Sequence, residues 1–175
     1  ILPGVIEESH YSKDTQSDYV GALCTRVKSL TNGIYGSVFC AEDALSDAEL
    51  FDCNVVVDLS RVGSMETKSL LMGILVMKLQ EYRMCGSEMN SRLRHVTVLE
   101  EAHNLLRKTS AEQSQEGANL QGKSVEMLAN AIAEMRTYGE GFIIADQAPG
   151  LLDMSVIRNT NTKIILRLPD EEDRK

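Results

Sequence analysis

The feature that most constrains this chain is a stretch from His95 to His103, in which an apolar run ends in two adjacent carboxylates. Residues 96–99 read Val-Thr-Val-Leu, and Glu100 and Glu101 follow directly. A short apolar run bounded by charge predicts a buried strand of a parallel sheet, and in open α/β sheets chemistry gathers at the carboxyl ends of such strands. Two acids there can divide two tasks, since one can hold Mg²⁺ through its water shell and the other can polarise an attacking water. The simpler alternative is a strand that stops at a solvated acidic helix start.

Further apolar runs predict a repeating strand–helix pattern along the chain. Strands are predicted at residues 55–59, 142–146 and 163–168, with an edge strand at 34–39. Helices are predicted at residues 18–33, 64–84, 125–138 and 155–161, and loops at 1–17 and 109–121. This alternation predicts an α/β fold, a parallel sheet with helices on both faces. We expect one domain over residues 1–175, with 1–17 as an arm or loop and the core at 54–168.

Composition narrows the class of protein. The net charge of −8 argues against a broad, nonspecific nucleic-acid-binding surface, although a few lysines or arginines can still line a pore. The four cysteines are widely spaced and form no C-x-x-C pair, which predicts reduced, mostly buried thiols in a cytoplasmic protein. No apolar run approaches about 18 residues, so no membrane span is predicted.

One segment matches a phosphate-binding loop letter for letter. Residues 117–124 read Gly-Ala-Asn-Leu-Gln-Gly-Lys-Ser, which fits G-x-x-x-x-G-K-[ST]. A genuine loop of this kind follows a buried strand, so that its amides wrap the phosphate while the next helix points its amino end at it. Residues 108–116 are polar and predict no strand. Chance is therefore the better account of the match.

Taken together, three segments resemble the second half of a HerA/FtsK-type P-loop ATPase. They are the stretch 96–103, the Glu-Met-Arg of residues 134–136, and the Gly-Phe-Ile-Ile-Ala-Asp-Gln-Ala-Pro-Gly of residues 141–150. Residues 157–168 are also similar to the last core strand of that family. The superfamily includes DNA-pumping hexamers and the ATPases of conjugation and type IV secretion, and the resemblance covers about residues 54–168.

The resemblance implies a role for several residues. Glu100 matches the Walker B acid that holds the Mg²⁺ water, a position where aspartate is commoner, and Glu101 matches the catalytic glutamate that orients the hydrolytic water. Gln147 matches a polar sensor of the ATP γ-phosphate, and Arg136 matches the arginine finger inserted into a neighbouring subunit's site. Simpler roles stay open for both, since Arg136 can complement a helix carboxyl end and Gln147 can cap a turn. Second choices for the finger are Arg158 and Arg167, whereas Asp58 and His103 are interpreted as structural.

The chain departs from the family at one decisive point. The family's phosphate loop lies upstream of the strand matched by residues 55–59, and residues 1–54 contain no Gly-Lys pair. The resemblance therefore implies the carboxyl-terminal part of a RecA-like ATPase domain that lacks its phosphate-loop strand and is inactive alone. In the parent protein we expect ATP and Mg²⁺ to bind between subunits of a hexameric ring that translocates DNA or protein.

Two other functions stay open. The chain can be a degenerate ATPase-like module that serves assembly without hydrolysis, a reading that an upstream sequence lacking Gly-Lys-Ser/Thr would favour. A metal-dependent phosphatase with Asp58 as nucleophile ranks lower, because no second acid lies two residues after Asp58.

Overall fold

The computed structural model describes residues 13–108 and 117–168. The chain divides into two compact units, Ile1–Ser46 and Asp47–Lys175. The first unit contains helices α1 (Lys13–Leu30) and α2 (Gly33–Phe39). Helix α1 begins inside the segment predicted as an arm, of which residues 1–12 lie outside the described residues. The edge strand predicted at residues 34–39 is wrong, because α2 occupies them. A helix satisfies its backbone within itself, whereas a strand needs a neighbour.

The second unit is a mixture of helices and strands, consistent with the α/β class. Its elements in chain order are α3 (Asp47–Phe51), α4 (Met65–Gly86), β1 (His95–Glu100), α5 (His103–Leu106), α6 (Gly117–Met135), β2 (Glu140–Ala145) and α7 (Met154–Asn159). Single 3₁₀ turns follow α6 and precede α7. The predicted start of α4 is confirmed, since the Ser64 hydroxyl accepts a hydrogen bond from the Thr67 amide at 3.4 Å.

The two strands form a parallel sheet, as predicted for these two apolar runs. His95 pairs with Glu140 and the register continues to Glu100 opposite Ala145. One face of the sheet carries Leu99, Phe142 and Ile144 into a core built with side chains from α4, α5, α6 and α7. Because consecutive strand residues face opposite ways, the intervening side chains lie on the other face.

That other face is apolar and bare. Val96, Val98 and Ile143 are 41%, 54% and 54% exposed. The prediction of helices on both faces is therefore wrong for the part of the second unit that the structure describes, where the helices contribute to a core on one face only.

Two predicted strands do not form. Residues 54–59 and 161–168 have no regular secondary structure, and Val56, Ile164 and Leu166 are more than four-fifths exposed. Their β-branched sequences are typical of strands, but a strand also requires a partner edge for its backbone hydrogen bonds. Neither segment pairs with β1 or β2.

The literal phosphate-loop match lies in the first two turns of α6, which begins at Gly117. Beyond the first turn the amides of a helix are used by its own hydrogen bonds, so they cannot wrap a phosphate. The backbone thus supports the interpretation of the match as chance. Residues 109–116 of the predicted loop lie outside the described residues, and the loop prediction is wrong at 117–121, which are helical.

The cysteines are free, but the prediction that they are mostly buried is wrong. Cys40, Cys53 and Cys85 are exposed, and Cys24 is half-buried.

In the described ranges, no helix combines the length and apolar character that crossing a membrane requires.

Candidate functional site

The parallel register places the acids of β1 beside the residues that follow β2. Glu100 lies opposite Ala145, so Glu101 leaves the sheet at the same edge as Asp146 and Gln147. The Ala102 amide donates to the Ala145 carbonyl oxygen at 3.4 Å, which keeps the two chain segments together beyond the strands. This acidic edge, residues 100–103 with 146 and 147, is the carboxyl end of the sheet.

Glu101 has an unusual backbone and a specific partner. Its φ of +50° lies in the left-handed region, which is energetically unfavourable for a residue that has a Cβ atom. Residues in such strained conformations cluster at functional sites. The Gln147 side-chain amide donates to Glu101 Oε1 at 2.6 Å. The structure thus brings together two residues that the sequence assigned to one site from positions 46 residues apart.

Glu100 is arranged differently from its neighbour. By strand alternation it shares the bare face with Val96 and Val98, and it is exposed. The side chains of these two adjacent glutamates therefore have different surroundings. Glu101 is engaged by Gln147, while Glu100 faces solvent.

Two further residues belong to the edge and were missed as site residues. His103, interpreted as structural, places its ring Nδ1 3.0 Å from Asp146 Oδ2 and 3.5 Å from Glu101 Oε2. Asp146 also accepts hydrogen bonds from the backbone amides of His103 and Ala148, each at 2.8 Å. The turn after β2 is therefore capped by Asp146 and not by Gln147. The sequence did contain a signal for Asp146, since this aspartate directly follows one predicted strand while Glu100 and Glu101 end another.

Arg136 lies away from the acidic edge of its own chain. It sits just after α6 and before β2, where its Nε donates to the Ala133 carbonyl oxygen at 3.3 Å. A strand of six residues is about 17–20 Å long, so Arg136 is near the opposite end of the sheet from Gln147. This contact fits the simpler role at a helix carboxyl end, and the finger role stays a prediction. Arg158 and Arg167 are also exposed.

Asp58 forms a local turn. Its Oδ1 accepts the Ser60 amide at 2.8 Å, and this backbone hydrogen bond lowers the pKa of the carboxyl group. The contact agrees with the interpretation of Asp58 as a structural hydrogen-bond acceptor.

An open groove of about 1010 Å³ lies between α4 and α6 and reaches His103 at one end. Its lining is mainly apolar and includes Leu70, Ile74 and Met77, but not Glu100, Glu101 or Gln147. The acidic edge therefore lies beside this groove and not within its lining.

Comparison of the chain with protein-family models, with curated proteins and with solved structures gives no match.

Proposed function

We propose that this chain is the carboxyl-terminal part of the ATPase domain of a HerA/FtsK-type ring motor acting in the cytoplasm. In the intact parent, ATP hydrolysis drives DNA or protein through the pore of a hexamer. The chain alone supplies the residues that activate water but not the loop that holds the triphosphate, so it is inactive by itself.

The observation that carries this proposal is the contact of Glu101 with Gln147 at the acidic edge, at 2.6 Å. A glutamate there acts as the base that orients the attacking water. Gln147 holds one oxygen of that carboxylate, and in the proposal it would exchange this contact for the γ-phosphate of ATP. The bare apolar face of the sheet adds support, since the remainder of an ATPase domain would cover it.

In the proposal, Glu100 is the group of the edge that would hold a magnesium ion. Mg²⁺ prefers carboxylate oxygens and keeps several waters, and Glu100 is an exposed carboxylate at the end of β1. Glu100 would hold the ion through its water shell, and the ion would neutralise phosphate charge. Glu101, which follows in the chain, would then polarise the hydrolytic water.

Ring assembly gives Arg136 its proposed role. Because it lies near the opposite end of the sheet from Gln147, it would act on the site of a neighbouring subunit and not on its own. Arg158 and Arg167 are the other candidates for this contact.

The test is ATP hydrolysis by the longer protein that contains this chain, with Gln147→Ala beside Gln80→Ala. Gln80 is a matched control, because its side-chain amide donates to Glu134 Oε2 at 3.0 Å on the exposed surfaces of α4 and α6. We expect Gln147→Ala to lower turnover at least about tenfold, through loss of one donor to the reacting phosphate, and Gln80→Ala to leave it unchanged. No turnover by the unmodified protein, or equal turnover of the two variants, would refute the proposal.

The alternative is an ATPase-like module that binds a partner without hydrolysing ATP. The exposure of Val96, Val98 and Ile143 favours it, since contiguous apolar surface marks interfaces. The upstream sequence decides between the two, because only the ATPase requires a Gly-Lys-Ser/Thr loop there.

A further inference from the structure

Helix α4 carries apolar side chains on two of its faces. One set lies buried in the core at helical spacing, Met72, Val76 and Leu79. A second set repeats this spacing on another face of the helix, Leu70, Ile74, Met77 and Met84. The residues of the second set are 38–47% exposed. Because a helix that is apolar all round is normally covered all round, this second face calls for an occupant.

The second face of α4 lines the open groove of about 1010 Å³. Helix α6 contributes Val125, Met127 and Leu128 to the same lining. The α4 side of the groove runs from Met65 to Cys85, which is about 30 Å at a helical rise of about 1.5 Å per residue. A groove of this length accepts the apolar face of a helix of about five turns, whose side chains at positions i, i+4 and i+7 fill it.

Methionines are prominent along the groove. Four of the eight methionines of the chain line it, Met65, Met77, Met84 and Met127. Their side chains are unbranched and flexible, so they can follow the shape of a bound helix, and surfaces that bind peptide helices use methionine in this way. The lining therefore favours a helix over a small rigid ligand.

Carboxylates outnumber bases along the groove. A smaller pocket of about 380 Å³ shares Gln80 and Met127 with the groove and so extends it. The acids that line these two pockets, or pair with their lining, are Asp47, Glu66, Glu81, Glu126 and Glu134. Among the described lining residues the lysines and arginines are Lys78 and Arg107, and Lys78 is paired with Asp47 at 2.9 Å. The charge along the groove is therefore negative, which complements a basic partner.

We propose that this groove is the docking site for an amphipathic helix of a partner protein, with an apolar stripe flanked by lysines or arginines. The apolar stripe packs against α4 and α6, and the basic side chains lie beside the carboxylates. A second copy of this chain is disfavoured as the occupant, because each copy has a net charge of −8 and would bring like charge to the groove. The groove is separate from the proposed ATP site, since neither Glu101 nor Gln147 lines it.

The test is a fluorescence-anisotropy titration of this chain, without nucleotide, with two labelled synthetic peptides of about 20 residues. Both peptides carry leucines at helical spacing, and the remaining positions are lysine in one peptide and glutamate in the other. We expect the lysine peptide to bind at least about tenfold more tightly than the glutamate peptide, because only the lysine peptide complements the charge of the groove.

Met77→Gln beside Met154→Gln locates the site. Both methionines are exposed, but Met154 lies on α7 and does not line the groove. We expect Met77→Gln to weaken binding of the lysine peptide at least about fivefold, through loss of apolar contact, and Met154→Gln to leave it unchanged. Glu81→Gln is expected to weaken binding about twofold relative to Glu88→Gln, which makes the same charge change at an exposed acid outside the groove.

Equal affinity for the two peptides, or no binding of the lysine peptide, would overturn the proposal, as would equal losses in Met77→Gln and Met154→Gln. Self-association of the chain that Met77→Gln abolishes, measured by sedimentation, would assign the groove to a second copy and would also overturn it. Should Met77→Gln fail to fold, Met127→Gln on the α6 side of the groove decides. Failure of this test is distinguishable from failure of the proposed function, because peptide binding is measured without ATP.

Discussion

Replacing Glu101 with glutamine in the proposed parent ATPase is expected to lower ATP turnover by about 10²–10⁴-fold while ATP binding is retained. The amide of the new side chain keeps an oxygen that can accept from Gln147, so the contact at 2.6 Å has a replacement acceptor. What is lost is the carboxylate that takes up the proton of the attacking water, and a positioned base contributes a factor of that size. Steady-state hydrolysis and nucleotide binding, measured on the same preparation, separate the two effects.

Glu134→Gln is the control for this experiment. Glu134 accepts from the Gln80 amide at 3.0 Å, so the pair reproduces the chemistry of Glu101 and Gln147 away from the sheet edge. Its turnover is expected to equal that of the unmodified protein. Intact hydrolysis in Glu101→Gln would show that Glu101 is not the base.

The second large effect is expected at the other end of the sheet, where Glu140→Ala should lower the free energy of unfolding by about 3–5 kcal/mol. The Glu140 side chain is 0% exposed and accepts from Arg83 Nε at 2.9 Å and from the Thr97 hydroxyl at 2.7 Å. The oxygen that accepts from Thr97, Oε1, also lies 2.8 Å from Nδ1 of His95, whereas Arg83 contacts Oε2. Breaking a buried ion pair in this way costs about 3–5 kcal/mol, and it also leaves Arg83 Nε and the Thr97 hydroxyl without this acceptor.

Arg83 also contacts groups other than Glu140, and these contacts limit how much stability the Glu140→Ala substitution removes. Its side chain is 7% exposed, and it also donates to Asp52 Oδ1 at 2.6 Å. Although desolvation lowers the pKa of Arg83, hydrogen bonds to Asp52 and Glu140 outweigh it and raise the pKa. The Tyr82 hydroxyl, and then Arg83, lower the pKa of Asp52 by hydrogen bonding to its charged form. Asp52 therefore still neutralises Arg83 in Glu140→Ala.

Urea denaturation of Glu140→Ala beside Asp47→Ala measures the contrast. Asp47 pairs with Lys78 at 2.9 Å, but both side chains are nearly half exposed, and such surface pairs contribute at most about 1 kcal/mol. A cost for Glu140→Ala no larger than that for Asp47→Ala would show that the buried network does not stabilise the fold.

The sequence predicted the long helices α1 and α4 and the two strands that pair. The runs predicted at residues 96–99 and 142–146 lie in or directly after the two parallel strands of the sheet, as expected, whereas their pairing and register were not predicted. Ser64 marked the start of α4 correctly because a cap is a local interaction. The contact between Glu101 and Gln147 follows from the same register.

The strand predictions that were wrong have a common physical cause. A strand forms only where another strand pairs with it, and the spacing of apolar residues does not identify that neighbour. Residues 55–59 and 163–168 have strand composition, but neither pairs with β1 or β2. Residues 34–39 have the same apolar character and fold as α2. His103 and Asp146 were missed because their meeting depends on the turn after each strand, and composition predicts neither turn.

The most direct test of the central claim, that this chain carries only the water-activating half of an ATP site, is calorimetric titration of Mg·ATP. It compares this chain, its Lys123→Ala variant and the longer protein that contains the chain. The account predicts saturable binding by the longer protein and none by the chain or by Lys123→Ala. Saturable binding by the chain that is lost in Lys123→Ala would make residues 117–124 a true phosphate loop, and absence of binding by the longer protein would contradict the account outright.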